Sequence, residues 1–258
     1  MFGSIWSPFH QEPNDRNIIL IYHSIDGGPL SISREKFHEQ IAWLAEHTDV
    51  VSLDEIINGS NPGTDSHRKR VVLTFDDGYQ SLFDTVAPIL SEYGVVATVY
   101  LNTGWIGDTK RKASDATLGH YEEEQFLVWR EVELLRLAGW TIGSHGVNHL
   151  DLTNQSKKVV QEELVNSKLD IEVRLGQACQ HFAYTWGRFT PFLQRAVKAA
   201  GYTSAVSGLH GPIQTRSNHF SLPRIDIRAG YEQRDFEDAV TGRWDYLGLK
   251  QRLARRLA

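Results

Sequence analysis

The sequence predicts an α/β fold built on parallel strands. Short apolar, β-branched runs alternate with stretches of helical spacing along nearly the whole chain, the pattern of strand–helix–strand units with right-handed crossovers. The chain has 258 residues, 41% of them apolar, enough to bury the core of one sizeable domain. It carries no internal repeat and no low-complexity linker. Such alternation fits a closed barrel or an open sheet. Both put catalytic side chains at the carboxyl ends of strands.

Residues 1–16 read as a polar, poorly ordered lead-in and residues 17–258 as a single domain. Residues 17–23 (NIILIYH) form the first buried strand. Ser33 caps a helix whose Phe37, Ile41, Leu44 and Ala45 share one face. Val50 and Val51 make a brief strand, and Ser52 with Glu55 fits a capping box. A polar loop, 58–70, leads to the apolar run 71–75. Phe83, Val86 and Leu90 then keep helical spacing, with Pro88 bending or splitting the helix and Gly94 ending it. Residues 95–101 are an apolar strand.

Residues 102–126, with Lys110-Arg111-Lys112 and Glu122-Glu123-Glu124, form the longest irregular stretch, either a substrate-side loop or a solvated insertion. A helix over 129–138 closes on Gly139, a strand follows at 140–144, and a long helix over 156–175 ends at Gly176. Residues 181–184 are a strand, Thr190-Pro191 opens a helix ended by Gly201, and strands follow near 204–206 and 220–227. The tail, 249–257, is a basic amphipathic helix, either packed with a solvated basic face or touching an anionic membrane surface.

The chemistry concentrates where two strands end. Val71-Val72-Leu73-Thr74-Phe75 stops at Asp76-Asp77-Gly78. Adjacent carboxylates repel and are hard to desolvate together, and a bound cation compensates them most directly. Gly78 can take a positive φ and let both face one cavity; the alternative is a solvated Asp-Gly turn. After the strand at 140–144, His145 and His149 share one side of a helical turn and can share a metal ion, although solvated or core histidines are commoner. Two His and one Asp after separate strands supply three ligands and leave a position open, the pattern of catalytic rather than structural zinc.

Composition narrows the classes further. The net charge of −5 argues against an electrostatic nucleic-acid binder, and the single Cys179 allows no intrachain disulfide. No stretch approaches the roughly 20 apolar residues that span a bilayer. Residues 1–8 lack the basic start and apolar run of a signal peptide, so the expected location is cytoplasmic, although a chain already trimmed of a leader would read the same way.

Thr74-Phe75-Asp76-Asp77-Gly78 matches the first motif of the polysaccharide deacetylases, carbohydrate esterase family 4 with its NodB-homology domain. Ser144-His145-Gly146-Val147-Asn148-His149 resembles their second motif, His-Ser/Thr-x-x-His. The resemblance runs from about residue 19 to about residue 227, with motifs in family order. It implies a distorted (β/α) barrel of the NodB-homology type with about seven parallel strands. It further implies Asp76 as base, and Asp77, His145 and His149 as ligands of a divalent metal, zinc being preferred.

Phe182-Ala183-Tyr184-Thr185-Trp186-Gly187 occupies the place of the third motif. It follows the Ala-Tyr-Pro-x-Gly form of a subgroup acting on poly-N-acetylglucosamine and related exopolysaccharides, with Thr185 replacing the proline. Ala183 stands where many relatives carry the arginine that orients the base; Arg224 is the candidate substitute, or else a surface ion-pair partner. Gly146 replaces the hydroxyl residue of the second motif, and the late Leu-x-His motif is not evident. Tyr22-His23 resembles the Tyr-His of the same subgroup and makes His23 the candidate general acid, with His219 second; a buried structural histidine is the alternative for each.

The resemblance implies metal-dependent hydrolysis of an N-acetyl group on a sugar or exopolysaccharide. The ion polarises the amide carbonyl, Asp76 accepts a proton from water, the backbone N–H of Trp186 steadies the oxyanion, and His23 protonates the leaving amine. Tyr184 and Arg224 are expected on the substrate side, and Trp105, Tyr121 or Trp129 either stack on sugar faces or belong to the core. A small-molecule amidase on the same fold stays open, as does a non-catalytic carbohydrate-binding relative, given Gly146, Ala183 and Thr185.

Overall fold

A computed structural model describes residues 16–28, 31–59, 68–113, 121 and 124–257. β1 (Asn17–Tyr22) and β3 (Lys69–Phe75) pair in parallel along the full length of β1, from Asn17 opposite Arg70 to Tyr22 opposite Phe75. On the other edge of β3, β2 (Thr48–Val50) takes the first half and β4 (Thr98–Leu101) the second. β5 (Thr141–Ser144), β6 (His181–Ala183) and β7 (Ser204–Val206) continue outward from β4, and β8 (Ile225–Asp226) pairs with β1. Every pairing between these strands is parallel, as the strand–helix alternation predicts.

The sheet curls into the distorted barrel. Leu222 exchanges backbone hydrogen bonds with β7, donating to Ala205 O (2.9 Å) and accepting from Ser207 N (2.8 Å). A few residues on, Ile225 and Asp226 lie against Leu20 and Ile21 of β1, so the stretch 222–226 bridges the two edges. Alternation along the strands sorts the core. Ile18, Leu20, Val71 and Leu73 pack outward beneath the helices, whereas Ile19, Val72, Tyr100, Ala183 and Val206 form a separate inner cluster. Continued past Val72 and Thr74, the same period of two carries Asp76 to the inner side at the barrel mouth.

The caps hold. Ser33 Oγ accepts from Lys36 N at the start of α1 (Arg34–His47), which buries Phe37, Ile41 and Leu44. Ser52 and Glu55 form the capping box of α2 (Leu53–Ile57). Pro88 sits in the first turn of α3 (Ala87–Glu92), where its missing N–H needs no partner, and a wide π-helical turn, Leu82–Val86, precedes it. α4 (Trp129–Leu137), α5 (Lys157–Leu175) and α6 (Pro191–Ala199) follow as expected.

Three readings need revision. Only Thr98–Leu101 of the 95–101 run is strand. The expected strand over 220–227 is a 3₁₀ turn (His219–Ser221) and the two residues of β8, because Pro223 cannot donate to a ladder. The sequence reading passed over α7 (Gln233–Thr241), although Phe236, Ala239 and Val240 are buried at helical spacing.

Residues 1–15 and most of the 58–70 loop lie outside the described residues, as do Glu122 and Glu123. Arg16 is part of the fold: it is buried and donates to both carboxylate oxygens of Asp245 (2.6 and 2.7 Å). α8 (Tyr246–Leu257) contains the basic tail, and among the described residues no helix is long and apolar enough to cross a membrane.

Candidate active site

A cavity of about 880 Å³ opens at the carboxyl ends of β1, β3 and β5, lined by His23, Asp76, Asp77, His145, His149 and Trp186 among others. The two adjacent aspartates avoid each other by taking different partners. Asp76 is buried and receives a fork of two hydrogen bonds from Arg224, Nη1 to Oδ1 at 2.7 Å and Nη2 to Oδ2 at 2.8 Å. Burial pushes its carboxyl up, but the charges of Arg224 and then His145 outweigh it and hold the group well below the usual carboxylate range. Asp77 accepts from Asn102 Nδ2 at 2.9 Å. Its φ of 74° is a left-handed conformation that few non-glycine residues adopt, Asp among the more frequent of them. Gly78 follows with φ 79°, and a Cβ there would come within 2.8 Å of Leu101 Cδ2, so glycine is required for the turn.

β5 delivers His145, whose backbone N–H donates to Leu101 O at 2.8 Å. Its Nδ1–H donates to Ala183 O at 2.8 Å, which fixes the tautomer and leaves the Nε2 lone pair facing the carboxylates. Burial first of all lowers this imidazole to about 4, so it is neutral and able to ligate near pH 7. Residues 145–149 do not form the helical turn expected from their spacing: Gly146 and His149 both have positive φ (87° and 54°). The two rings converge because the loop folds back on itself. Nε2 of His145 and of His149 lie 3.7 and 3.5 Å from Asp77 Oδ1.

The donor set of Asp77, His145 and His149 has its ligating atoms all within 4.8 Å of one another. Tetrahedral ligands at about 2.0–2.1 Å from an ion would be roughly 3.3 Å apart. The 3.5 and 3.7 Å separations approach that value, and two imidazoles with one carboxylate suit zinc. The residues fit the metal.

His23, half-buried at the end of β1, lines the same cavity, and the Tyr121 ring faces it with centroids 6.5 Å apart. His219 is exposed on its 3₁₀ turn and does not line the cavity. Trp186, in a left-handed conformation (φ 58°), places an edge contact on His149 at 4.9 Å and is 47% exposed in the cavity wall. Tyr184 is corrected: it is fully buried, donates its hydroxyl to Phe220 O at 2.9 Å and does not face the cavity, because alternation along β6 points it into the helix layer. Arg224 is likewise no surface ion-pair partner. It is buried at the cavity base with its fork committed to Asp76. Trp105 and Trp129 pack in the core, while Tyr121 alone of the three lines the cavity. Thr185, in the proline position, donates its hydroxyl to Leu150 O and so ties this turn to the histidine loop.

Asn102 was missed in the sequence, although it directly follows β4, as Asp76 follows β3 and His145 follows β5. His210, Leu247, Lys250 and Gln251 also line the cavity and carry no local signal.

A family model described as polysaccharide deacetylase matches residues 63–205. The Bacillus subtilis protein YxkH is 26% identical over 214 residues, covering 82% of this chain and 71% of its own. The Staphylococcus aureus poly-beta-1,6-N-acetyl-D-glucosamine N-deacetylase is 23% identical over 225 residues, covering 83% and 72%. The structure of the Streptococcus pyogenes deacetylase PplD superposes with a TM-score of 0.72 at 23% identity, over 87% of this chain and 98% of that one, which supports the same fold. With more than half its length matched by the family model and its motifs gathered at one barrel mouth, this chain belongs to the polysaccharide deacetylase family.

Proposed function

We propose that the protein is a metal-dependent hydrolase that removes N-acetyl groups from an N-acetylated sugar polymer, of the poly-N-acetylglucosamine kind. The observation that carries this reading is the convergence of Asp77, His145 and His149 beside an Arg224-bound Asp76 in one cavity. The chemistry of the S. aureus relative and the subgroup form of residues 183–187 support the substrate class.

A divalent ion held by Asp77 Oδ1 and the two Nε2 atoms would polarise the amide carbonyl and lower the pKa of water. Asp76 Oδ2, 3.8 Å from His145 Nε2, faces that space and accepts the proton from the attacking water. Arg224 keeps Asp76 ionised and aimed, so the acceptor lone pair is present whenever substrate binds. The backbone N–H of Trp186 is assigned to the charge developing on the carbonyl oxygen. Its half-exposed ring offers a flat apolar face to a sugar. His23 donates the proton that the departing amine requires, since His145 and His149 are committed as ligands.

The test is acetate release from N-acetylglucosamine oligomers by purified protein before and after exhaustive chelation. Release that stops on chelation and returns with zinc is expected. Hydrolysis of small ureide-type amides in place of sugars, or oligosaccharide binding without acetate release, would overturn the reading.

A further inference from the structure

The loop between the two candidate metal ligands has no secondary structure to hold it, yet five of the six backbone N–H and C=O groups of residues 146–148 are hydrogen-bonded. Its carbonyls accept from the stretch after β4: Thr103 N donates to Gly146 O at 3.0 Å and Gly104 N to Val147 O at 2.9 Å. Gly146 N donates to Ser144 Oγ at 3.1 Å. The next two N–H groups converge on one carboxylate oxygen of α5, Val147 N to Glu163 Oε2 at 2.8 Å and Asn148 N at 3.0 Å. Asn148 Nδ2 donates to the other oxygen, Oε1, at 2.7 Å.

Glu163 is only 4% exposed, and among the described residues no Lys, Arg or His is paired with it. A buried carboxylate is costly unless its lone pairs are met. Here two successive backbone N–H groups and a side-chain amide meet them, which is an anion nest with charge-assisted bonds. The carboxylate and the loop conformation therefore depend on each other.

The fit is close. A Cβ at residue 146, where the resembling motif carries a hydroxyl residue, would sit 3.0 Å from Glu163 Oε2, and one at Gly104 would sit 2.7 Å from Val147 O. Glycine at 146 leaves room for the carboxylate, and the left-handed His149 directly after the nest turns its ring back toward Asp77.

We infer that Glu163 is a positioning residue for the metal: it sets the 146–148 backbone so that His145 and His149 present their Nε2 atoms to one point. The inference rests on the proposed metal site and adds a determinant of its affinity on a different helix.

The test uses apo protein and two readouts, zinc affinity by competition with a chromophoric chelator and amide hydrogen exchange at Val147 and Asn148. Glu163→Ala is expected to weaken zinc binding by roughly ten- to a hundredfold and to speed exchange at both amides, as loss of a partner that orients a ligand does. Glu163→Gln keeps the volume and an acceptor oxygen but not the charge, so it should fold and weaken zinc several-fold. Wild-type zinc affinity in either folded variant, or unchanged exchange at Val147 and Asn148 in Glu163→Ala, overturns the inference. A wild-type chain that binds no divalent ion would instead strike the proposed function, and the exchange measurement, which needs no metal, separates the two outcomes.

Discussion

Arg224 and Asp76 stand fork to fork, at 2.7 and 2.8 Å, with both side chains buried. Removing the cation leaves a buried anion without compensation. Arg224→Leu should therefore cost about 3–5 kcal/mol in urea unfolding and most of the activity. Arg224→Lys should recover little, since an ammonium cannot bond both oxygens in that plane. Asp76 has a folded pKa below its unfolded value of about 3.9. Its stabilising contribution is then complete above that value and is lost as pH falls toward the depressed one. Urea unfolding of Asp76→Asn should accordingly show a flatter acid limb than wild type; an identical acid limb would refute this account.

The neighbouring aspartates should separate in metal analysis. Asp77→Ala is expected to lose bound zinc and activity together, because Oδ1 is the one carboxylate oxygen shared with both imidazoles. Asp76→Asn should retain zinc and lose on the order of a hundredfold or more in turnover, because an amide cannot accept the proton. Zinc content by emission spectrometry on the dialysed variants decides between these roles and their reverse.

His23→Ala should keep its zinc and lose turnover. The ring lines the cavity from β1, next to Tyr121, and is not part of the ligand set. A full deacetylation rate in this variant would remove His23 as the acid. His219, exposed and outside the cavity, would not replace it.

Trp186→Ala should raise KM about two- to tenfold with a smaller change in kcat, the scale of one lost aromatic contact. Its ring is exposed in the cavity and touches His149 only at an edge, so metal content should hold. Steady-state kinetics on soluble oligosaccharides measure both constants. A loss confined to kcat would assign the side chain a different part.

Cys179 should resist iodoacetamide at pH 8 in the folded protein and react on unfolding. Burial is the first cause that pushes its thiol up to about 12, leaving almost no thiolate. Mass spectrometry of alkylated native protein checks this, and rapid native labelling would contradict it.

The sequence by itself determined the strand–helix order, most helix caps and the residues of the candidate metal site. Those signals are local. Ser33, Ser52, Ser156 and Thr190 act within three residues of their partners, and the runs ending at Asp76 and His145 place side chains by strand period alone. Tertiary structure decided what depends on distant partners. Arg224 reaches Asp76 across 148 positions because residues 222–226 close the barrel beside β1. Asp and His enter the left-handed region more readily than most non-glycine residues, but their flanks do not mark Asp77 and His149 as the positions that do so. Partners from other elements accompany the positive φ: Asn102 donates to the Asp77 carboxylate, and Glu163 with the stretch after β4 holds the 146–148 backbone that leads into His149. Tyr184 turned into the helix layer and Lys250 toward the cavity for the same reason: which way a side chain faces is settled by what packs against it, and that packing exists only once the barrel has closed.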